Sequence, residues 1–155
     1  MPSDRLQTLM NAAKVKLRRS GSLEPLLLIE GRKNLAVAIP ELPPTSDQRR
    51  ALMYVMGRQF AYLKPWRLTA VMDAYIKISD LGEPVSMEGS LIDDPRAKDC
   101  VIVAELTRQG QSRLLVCTYE RVPTLRGLHL NFDQVQEPPG EGEFYLLEAF
   151  FDAST

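Results

Sequence analysis

Residues 67 to 78, RLTAVMDAYIKI, alternate apolar side chains with mixed ones at a period of two. Successive side chains of a β-strand point to opposite faces, so this period is typical of a strand with one face in the core. The pattern therefore predicts a long, half-buried strand whose second face meets solvent or a ligand. The predicted inward side chains are those of Leu68, Ala70, Met72, Ala74, Ile76 and Ile78.

Two pairs of apolar runs indicate β-hairpins. Residues 26–29 and 35–39 are separated by a polar segment that contains Gly31 and Asn34. Residues 99–107 and 113–122 flank RQGQS, in which a glycine permits the positive φ of a tight turn. LHLNF and FYLLEAFF are interpreted as two further strands.

The second hairpin also gives an expectation for the two cysteines. If Thr107 pairs with Arg113, Val103 lies opposite Cys117, and Cys100 and Cys117 point to opposite sides of the sheet. A disulfide is then excluded, although a one-residue slip would reverse that result. With His129 as the single histidine, metal-binding side chains are few, and we predict no metal site and no cofactor.

Two segments have helical periodicity. The first is expected to begin at Ser3 and end at Gly21, with an apolar stripe of Leu6, Leu9, Met10, Ala13 and Leu17. The second is capped by Thr45, with Gln48 three residues later, and Lys64-Pro65 stops it. Its predicted buried stripe is Leu52, Val55, Met56, Phe60 and Leu63.

These elements occur in the order α-β-β-α followed by five strands, mostly joined by short links. That order favours an α+β fold over a doubly wound parallel one. The chain of 155 residues is long enough for one core. We therefore predict a single domain, 1–155, with a largely antiparallel sheet and two amphipathic helices packed on one face.

Asp93-Asp94-Pro95-Arg96 is interpreted as a structural turn and not as a carboxylate pair. Adjacent side chains of an extended segment diverge, and Asp before Pro favours a turn. MDAYIKI followed by DDPRAKDCVIVAEL resembles a pattern in small bacterial and tailed-phage proteins of no assigned function. The resemblance covers about residues 70–106, matches at Asp94, Pro95 and Arg96, and implies only a similar strand-loop-strand unit.

The sequence offers little support for catalysis. It has no Walker loop and no dinucleotide fingerprint, and Gly140-Glu141-Gly142 follows prolines and not a strand. His129 alternates with Leu128 and Leu130, which indicates the polar face of a strand. No catalytic residue is predicted, and a non-enzymatic protein is favoured. The N-terminus lacks the apolar run of a signal peptide and no stretch is long enough to span a membrane, so we expect a cytoplasmic protein with no membrane partner.

Charge is unevenly distributed along the chain. Residues 1–64 contain 11 Lys or Arg and 5 Asp or Glu, whereas residues 65–155 contain 8 and 15. The simpler interpretation is charge complementarity within an ordinary protein or between copies of it. The alternative is weak nucleic-acid binding, for which the phosphate contacts would be Lys14, Lys16, Arg18, Arg19, Arg49 and Arg50.

A protein interface is the leading functional hypothesis. The outer side of the second helix is unusually apolar, so either the first helix covers it or it binds a protein partner or a second copy. The candidate interface residues are Met53, Tyr54, Arg58 and Ala61. Trp66 is expected to anchor the core at the corner that follows.

The second hypothesis is a small-molecule site or enzyme on the outward face of the long strand. A polar row there could line a cleft, although a solvated strand face looks the same. The candidate ligand-facing residues are Asp73, Tyr75, Lys77 and Glu105.

Overall fold

The computed structural model describes residues 4–77, 97–137 and 145–155. The described elements are three α-helices, one 3-10 helix and six strands. In chain order they are α1 (Arg5–Ser20), β1 (Leu26–Glu30), β2 (Asn34–Ala38), α2 (Ser46–Gln59), the 3-10 helix (Ala61–Leu63), β3 (Arg67–Lys77), β4 (Ala97–Thr107), β5 (Ser112–Thr124), β6 (Gly127–Phe132) and α3 (Tyr145–Ala153).

The six strands form one sheet in the order β2-β1-β3-β4-β5-β6. Every neighbouring pair is antiparallel. The α+β class, the antiparallel sheet and both hairpins are thus confirmed. The predicted strand LHLNF is also confirmed, as β6.

Both faces of the central strands are buried, which differs from the half-buried strand that the sequence predicted. On one face, Leu68, Ala70 and Ala104 belong to a core that includes side chains of α2 and α3. On the other, Val71 belongs to a second core, whose helical side chains come from α1. Two helices do share one face, but they are α2 and α3. The expected pairing of α1 with α2 is wrong, because these helices lie on opposite sides of the sheet.

The first helix packs as its apolar stripe predicts. Leu6, Met10, Ala13 and Leu17 are its buried residues. Its N-cap is Asp4, whose Oδ1 accepts the Leu6 N–H at 3.0 Å; Ser3, the predicted cap, lies outside the described residues. Gly21 ends the helix with φ of 75°, as expected, and its N–H donates to the Leu17 carbonyl.

The second helix begins at the predicted cap, but the side of it that faces the core differs from the predicted stripe. The Thr45 side chain accepts the Gln48 N–H at 3.2 Å. The buried residues are Met53, Met56 and Gly57, whereas Val55, a predicted core residue, is 60% exposed. The helix turns this way because α3, which the sequence did not reveal, packs beside it.

The segment FYLLEAFF, predicted as a strand, contributes α3. Leu147, Ala149, Phe150, Phe151 and Ala153 are all buried, so the helix is apolar around most of its circumference. Glu148 and Asp152 give it only a narrow exposed side, and a short apolar run of this kind cannot be distinguished from a buried strand by periodicity. Aromatic content then favoured the wrong alternative.

The β4–β5 hairpin has a register two residues from the predicted one. Val103 lies opposite Leu115, and Val101 opposite Cys117. The turn is tighter than expected, since the Thr107 N–H donates to the Gln111 carbonyl at 2.8 Å. A shift of two preserves the faces, so Cys117 and Cys100 still point to opposite sides, and both are buried free thiols.

Gly57 should be required for the approach of α2 to α3. A Cβ built there would lie 2.3 Å from the Phe150 carbonyl oxygen. We expect Gly57→Ala to lower the free energy of unfolding by about 1–3 kcal/mol through overpacking, measured by urea denaturation. An alanine in an open helix position would instead stabilise by about 0.5–1 kcal/mol. Ala51→Gly, at an exposed site on the same helix, is the control for helix propensity; a more stable Gly57→Ala protein would contradict the close contact.

Candidate functional site

A cavity of about 310 Å³ lies on the side of the sheet covered by α2 and α3. Strands β1, β3, β4 and β5, the segment after β2, and both helices contribute to its walls. All but one of its lining residues are apolar. They are Pro25, Leu26, Leu27, Ile39, Leu42, Arg49, Met53, Ala70, Met72, Ile102, Ala104, Leu114, Leu146 and Leu147.

Two small residues on adjacent strands account for space at the floor of this cavity. Ala70 of β3 lies directly opposite Ala104 of β4 in the register. Larger partners follow, with Met72 opposite Ile102. Opposed side chains of neighbouring strands are close enough to pack together, so an alanine pair leaves a depression where leucines would fill it. Met53 of α2 and Leu147 of α3 line the cavity from the helical layer.

Arg49 is the charged member of the lining, and it belongs to the first turns of α2. Its Nε–H donates to the Pro43 carbonyl at 2.7 Å. The residue is half-buried. The cavity thus combines apolar walls with one arginine, and it was not predictable from the sequence because it depends on the alanine pair and on α3.

On the opposite face of the sheet, a buried tyrosine pairs with a half-buried carboxylate. The Tyr119 hydroxyl donates to Asp73 Oδ1 at 2.8 Å, and Tyr119 is 1% exposed. Burial raises the pKa of Asp73, and the negative charge of Asp99 raises it further, against the hydrogen bond that lowers it. The pKa of Tyr119 is likewise raised, chiefly by burial. Asp73 is thus a partner of the core tyrosine.

The positive charge of Arg121 offsets the negative charge of the carboxylates around this pair. Its Nε lies 3.5 Å from Asp99 Oδ2, and its Nη2 donates to the Tyr119 hydroxyl at 3.4 Å. The Arg121 guanidinium also stacks over the Tyr119 ring at 5.6 Å. The arrangement holds together the ends of β4 and β5.

Glu105, a predicted ligand residue, belongs to a separate cluster at the start of α1. Its Oε2 accepts Arg5 Nη1–H at 2.9 Å, and the same nitrogen donates to Thr69 Oγ1 at 3.0 Å. Arg5 Nη2 also lies 3.4 Å from Glu30, which Arg67 binds through two nitrogens. The Arg67 hydrogen bond holds the pKa of Glu30 below its usual range.

The predicted ligand face is therefore not assembled as one site. Asp73 lies opposite Val101, and Glu105 opposite Thr69, so the two carboxylates sit four residues apart along the same strands. At about 3.4 Å per residue this is roughly 14 Å. Tyr75 and Lys77 belong to β3, but their side chains lie outside the described part of the structure.

The predicted interface on α2 is only partly at the surface. Met53 is 3% exposed and faces the core, which overturns its assignment to the outer side. Tyr54 is 46% exposed and Arg58 is exposed, whereas Ala61 is half-buried in the 3-10 helix. Trp66, expected in the core, is 47% exposed, with the Arg67 guanidinium 4.7 Å from its ring.

The predicted phosphate contacts divide between the two sides of the sheet. Lys14, Lys16, Arg18 and Arg19 belong to α1, and the two arginines Arg49 and Arg50 to α2. Lys14 and Arg18 lie over the Phe132 ring, at 5.6 and 4.8 Å from its centroid. Because α1 and α2 pack against opposite faces, the six residues do not converge on the shared surface that the sequence suggested.

Other sequence motifs remain predictions. The Asp93–Arg96 turn and the Gly140–Gly142 segment lie outside the described residues. His129 is exposed on β6, opposite Val122. In the described ranges no group of three or more His, Cys, Asp or Glu side chains is arranged to hold a metal ion. None of the described helices is long and apolar enough to cross a membrane.

Comparison with known proteins gives no match: no family model, no curated protein and no solved structure is similar to the chain. The resemblance of residues 70–106 to bacterial and tailed-phage proteins thus stays a prediction.

The raised pKa of Asp73 predicts a specific pH dependence of stability. A carboxyl group whose pKa is higher in the folded protein stabilises it at low pH, and this contribution is lost as pH rises through the folded pKa. We therefore expect Asp73→Asn, which keeps an oxygen for Tyr119, to gain stability relative to wild type as the pH rises above about 4, the ordinary pKa of an aspartate. Urea unfolding at several pH values measures this gain. Asp152→Asn on α3 is the exposed control, and an Asp73→Asn curve parallel to wild type would exclude the effect.

Proposed function

We propose that the protein binds a small, largely apolar molecule in the cavity between the sheet and helices α2 and α3. The observation that carries the proposal is the cavity itself, about 310 Å³ with thirteen apolar lining residues and one charged residue. Ligand sites in proteins typically span roughly 300–1000 Å³ and combine apolar walls with a few polar groups. This cavity lies at the small end of that range.

Packing considerations support a ligand in this position. Protein interiors are close-packed, and voids larger than a water molecule are few. An unfilled apolar space deprives its walls of dispersion contacts. A ligand that covers Ala70, Ala104 and Leu114 would restore such contacts and remove apolar surface from water at about 25 cal/mol per Å².

The lining favours binding over catalysis. Among the described residues of the wall, Arg49 is the single ionisable group, and no serine, cysteine or histidine lines the space. General acid–base chemistry needs a group that gains and loses a proton near the working pH, which a guanidinium does not do. This proposal moves the small-molecule hypothesis from the polar strand face to the apolar side of the sheet.

Filling the cavity should abolish ligand binding without unfolding the protein. We expect 1-octanol to raise the Tm of the wild type, because a ligand that binds only the native state stabilises it by about 2.7 kcal/mol at a hundred times its Kd. Ala70→Leu should remove this shift, since the added side chain occupies the floor. Ala12→Leu, on the exposed side of α1, should retain it. Absence of any shift with wild type, for either 1-octanol or octanoate, would refute the proposal.

A second candidate function is self-association through β6, which keeps the interaction hypothesis. Among the described residues, β5 pairs with β4 as far as Tyr119. The pairing of β5 with β6 continues further along β5, to Thr124 opposite Gly127. Within residues 97–137, the hairpin thus extends as a two-stranded arm, and residues 122–129 are exposed. Two-stranded hairpins are marginally stable in water by themselves, so this arm would gain from a further strand.

The edge of the arm suits a second copy of the same strand. Strand β6 is GLHLNF, with none of the lysines, prolines or acidic residues that commonly protect an edge. Leu128 is 64% exposed on it. Two β6 strands related by a two-fold axis would pair antiparallel and join the sheets of both copies.

The oligomeric state of the wild type and of two variants tests this second function. It also distinguishes an interface on β6 from one on the α2 surface. We expect the wild type to form a dimer that Leu128→Lys converts to a monomer, because a lysine on an edge strand opposes pairing with another strand and removes the apolar contact of Leu128. Tyr54→Glu on α2 should leave the dimer intact. Size exclusion with light scattering gives the mass, and circular dichroism checks the fold. A dimer that only Tyr54→Glu dissociates would assign the interface to α2, and a monomeric wild type would reject both.

A further inference from the structure

We infer that the ligand of this cavity is an amphiphile with an apolar chain and one carboxylate, and that Arg49 binds the carboxylate. The inference rests on the proposed function and specifies its ligand class. It is carried by the placement of one arginine in a wall whose other thirteen residues are apolar. The apolar chain would lie over the alanine floor, and the anionic end would point toward the start of α2.

The guanidinium has hydrogen-bonding capacity beyond its structural contact. A guanidinium has five N–H donors in a planar fork. In the described part of the protein, Arg49 uses Nε–H for the Pro43 carbonyl. That bond fixes the side chain against the segment preceding α2. The two terminal nitrogens are the groups left to bind a carboxylate, as in end-on arginine–carboxylate pairs with two parallel N–H···O bonds.

The electrostatics of the wall favour an anion over a neutral polar group. A charge beside apolar surface is poorly solvated unless a counter-charge accompanies it. No carboxylate belongs to the described lining, so a ligand anion can supply this charge. The first turn of α2 adds a favourable dipole, because helix N-termini attract negative charge, although Asp47 in the same turn opposes it.

A carboxylate fits this site better than a phosphate group. One guanidinium matches the two oxygens of one carboxylate in charge and geometry. A phosphate monoester carries up to two charges at neutral pH and offers more oxygens than Arg49 can bind. Among the described residues, no second cation belongs to the cavity wall.

Paired probes that differ only at the polar end test the inference. We expect wild-type protein to bind octanoate about tenfold more tightly than 1-octanol at neutral pH, because hydrogen bonds between charged groups are stronger than neutral ones. Calorimetry or thermal shift titration measures both. Arg49→Met should remove the tenfold preference while 1-octanol affinity changes less than about threefold. Arg58→Met, at an exposed position of the same helix, is the matched control and should preserve the preference.

Two further measurements keep the test decisive if Arg49→Met fails to fold. Arg49→Lys retains the charge without the planar fork and should reduce the preference but not abolish it. Lowering the pH below about 4 protonates the octanoate carboxyl, and wild-type affinity for octanoate should then approach that for 1-octanol.

The outcomes separate this inference from the proposed function. If both probes bind wild type equally, the cavity takes apolar ligands but Arg49 does not select an anion, and the inference fails alone. If octanoate is preferred and Arg49→Met keeps the preference, another cation binds the carboxylate, and the assignment to Arg49 is wrong. If neither probe binds, the proposed function fails with it.

Discussion

Burial of both faces of β3 and β4 is the constraint on which the other features of the fold depend. Val71 and Val103 on one face and Leu68 and Leu106 on the other are each less than a tenth exposed. A sheet whose central strands are apolar on both sides must be covered on both sides. The chain meets this requirement with α1 on one face and the α2–α3 pair on the other.

The two covered faces differ in how completely they are filled. Beneath α1, the core is bordered at its ends by polar groups that are hydrogen-bonded, Thr69 at one end and Tyr119 at the other. Beneath α2 and α3, opposed alanines leave a cavity that Arg49 borders. Gly57 lets the two helices approach closely, so the space lies toward the sheet and not between the helices. The difference between the faces is what makes the second one the better place for a ligand.

The uneven charge of the sequence is partly resolved by pairing across the molecule. Arg5 of the basic half binds Glu105 of the acidic half. Conversely, Arg113 of the acidic half contacts Asp4 of the basic half at 2.8 Å. The Arg113 pairs are exposed and contribute little to stability, whereas the half-buried Arg5 cluster also fixes the start of α1. The charge distribution thus reflects intramolecular complementarity at these positions.

The sequence by itself determined most of the local elements of this protein, α3 excepted. Alternation in β3, the hairpin at Gly110, the stripe of α1 and the cap at Thr45 depend on neighbouring residues, whose spacing is fixed by the geometry of a strand or helix. These features were predictable, because each is set within a few residues of chain. The antiparallel α+β class followed from their order.

Tertiary structure decided which faces these elements cover and where the cavity lies. The helical state of α3 depends on burial of most of its circumference in the core shared with α2, which the periodicity of so short a run does not encode. The rotation of α2 depends on α3, and the buried role of Met53 follows from it. The cavity requires Ala70 and Ala104 to be opposed across a register that only long-range pairing sets. The sequence lists the side chains, but contacts between distant segments place Arg49 in an apolar wall and Asp73 beside Tyr119.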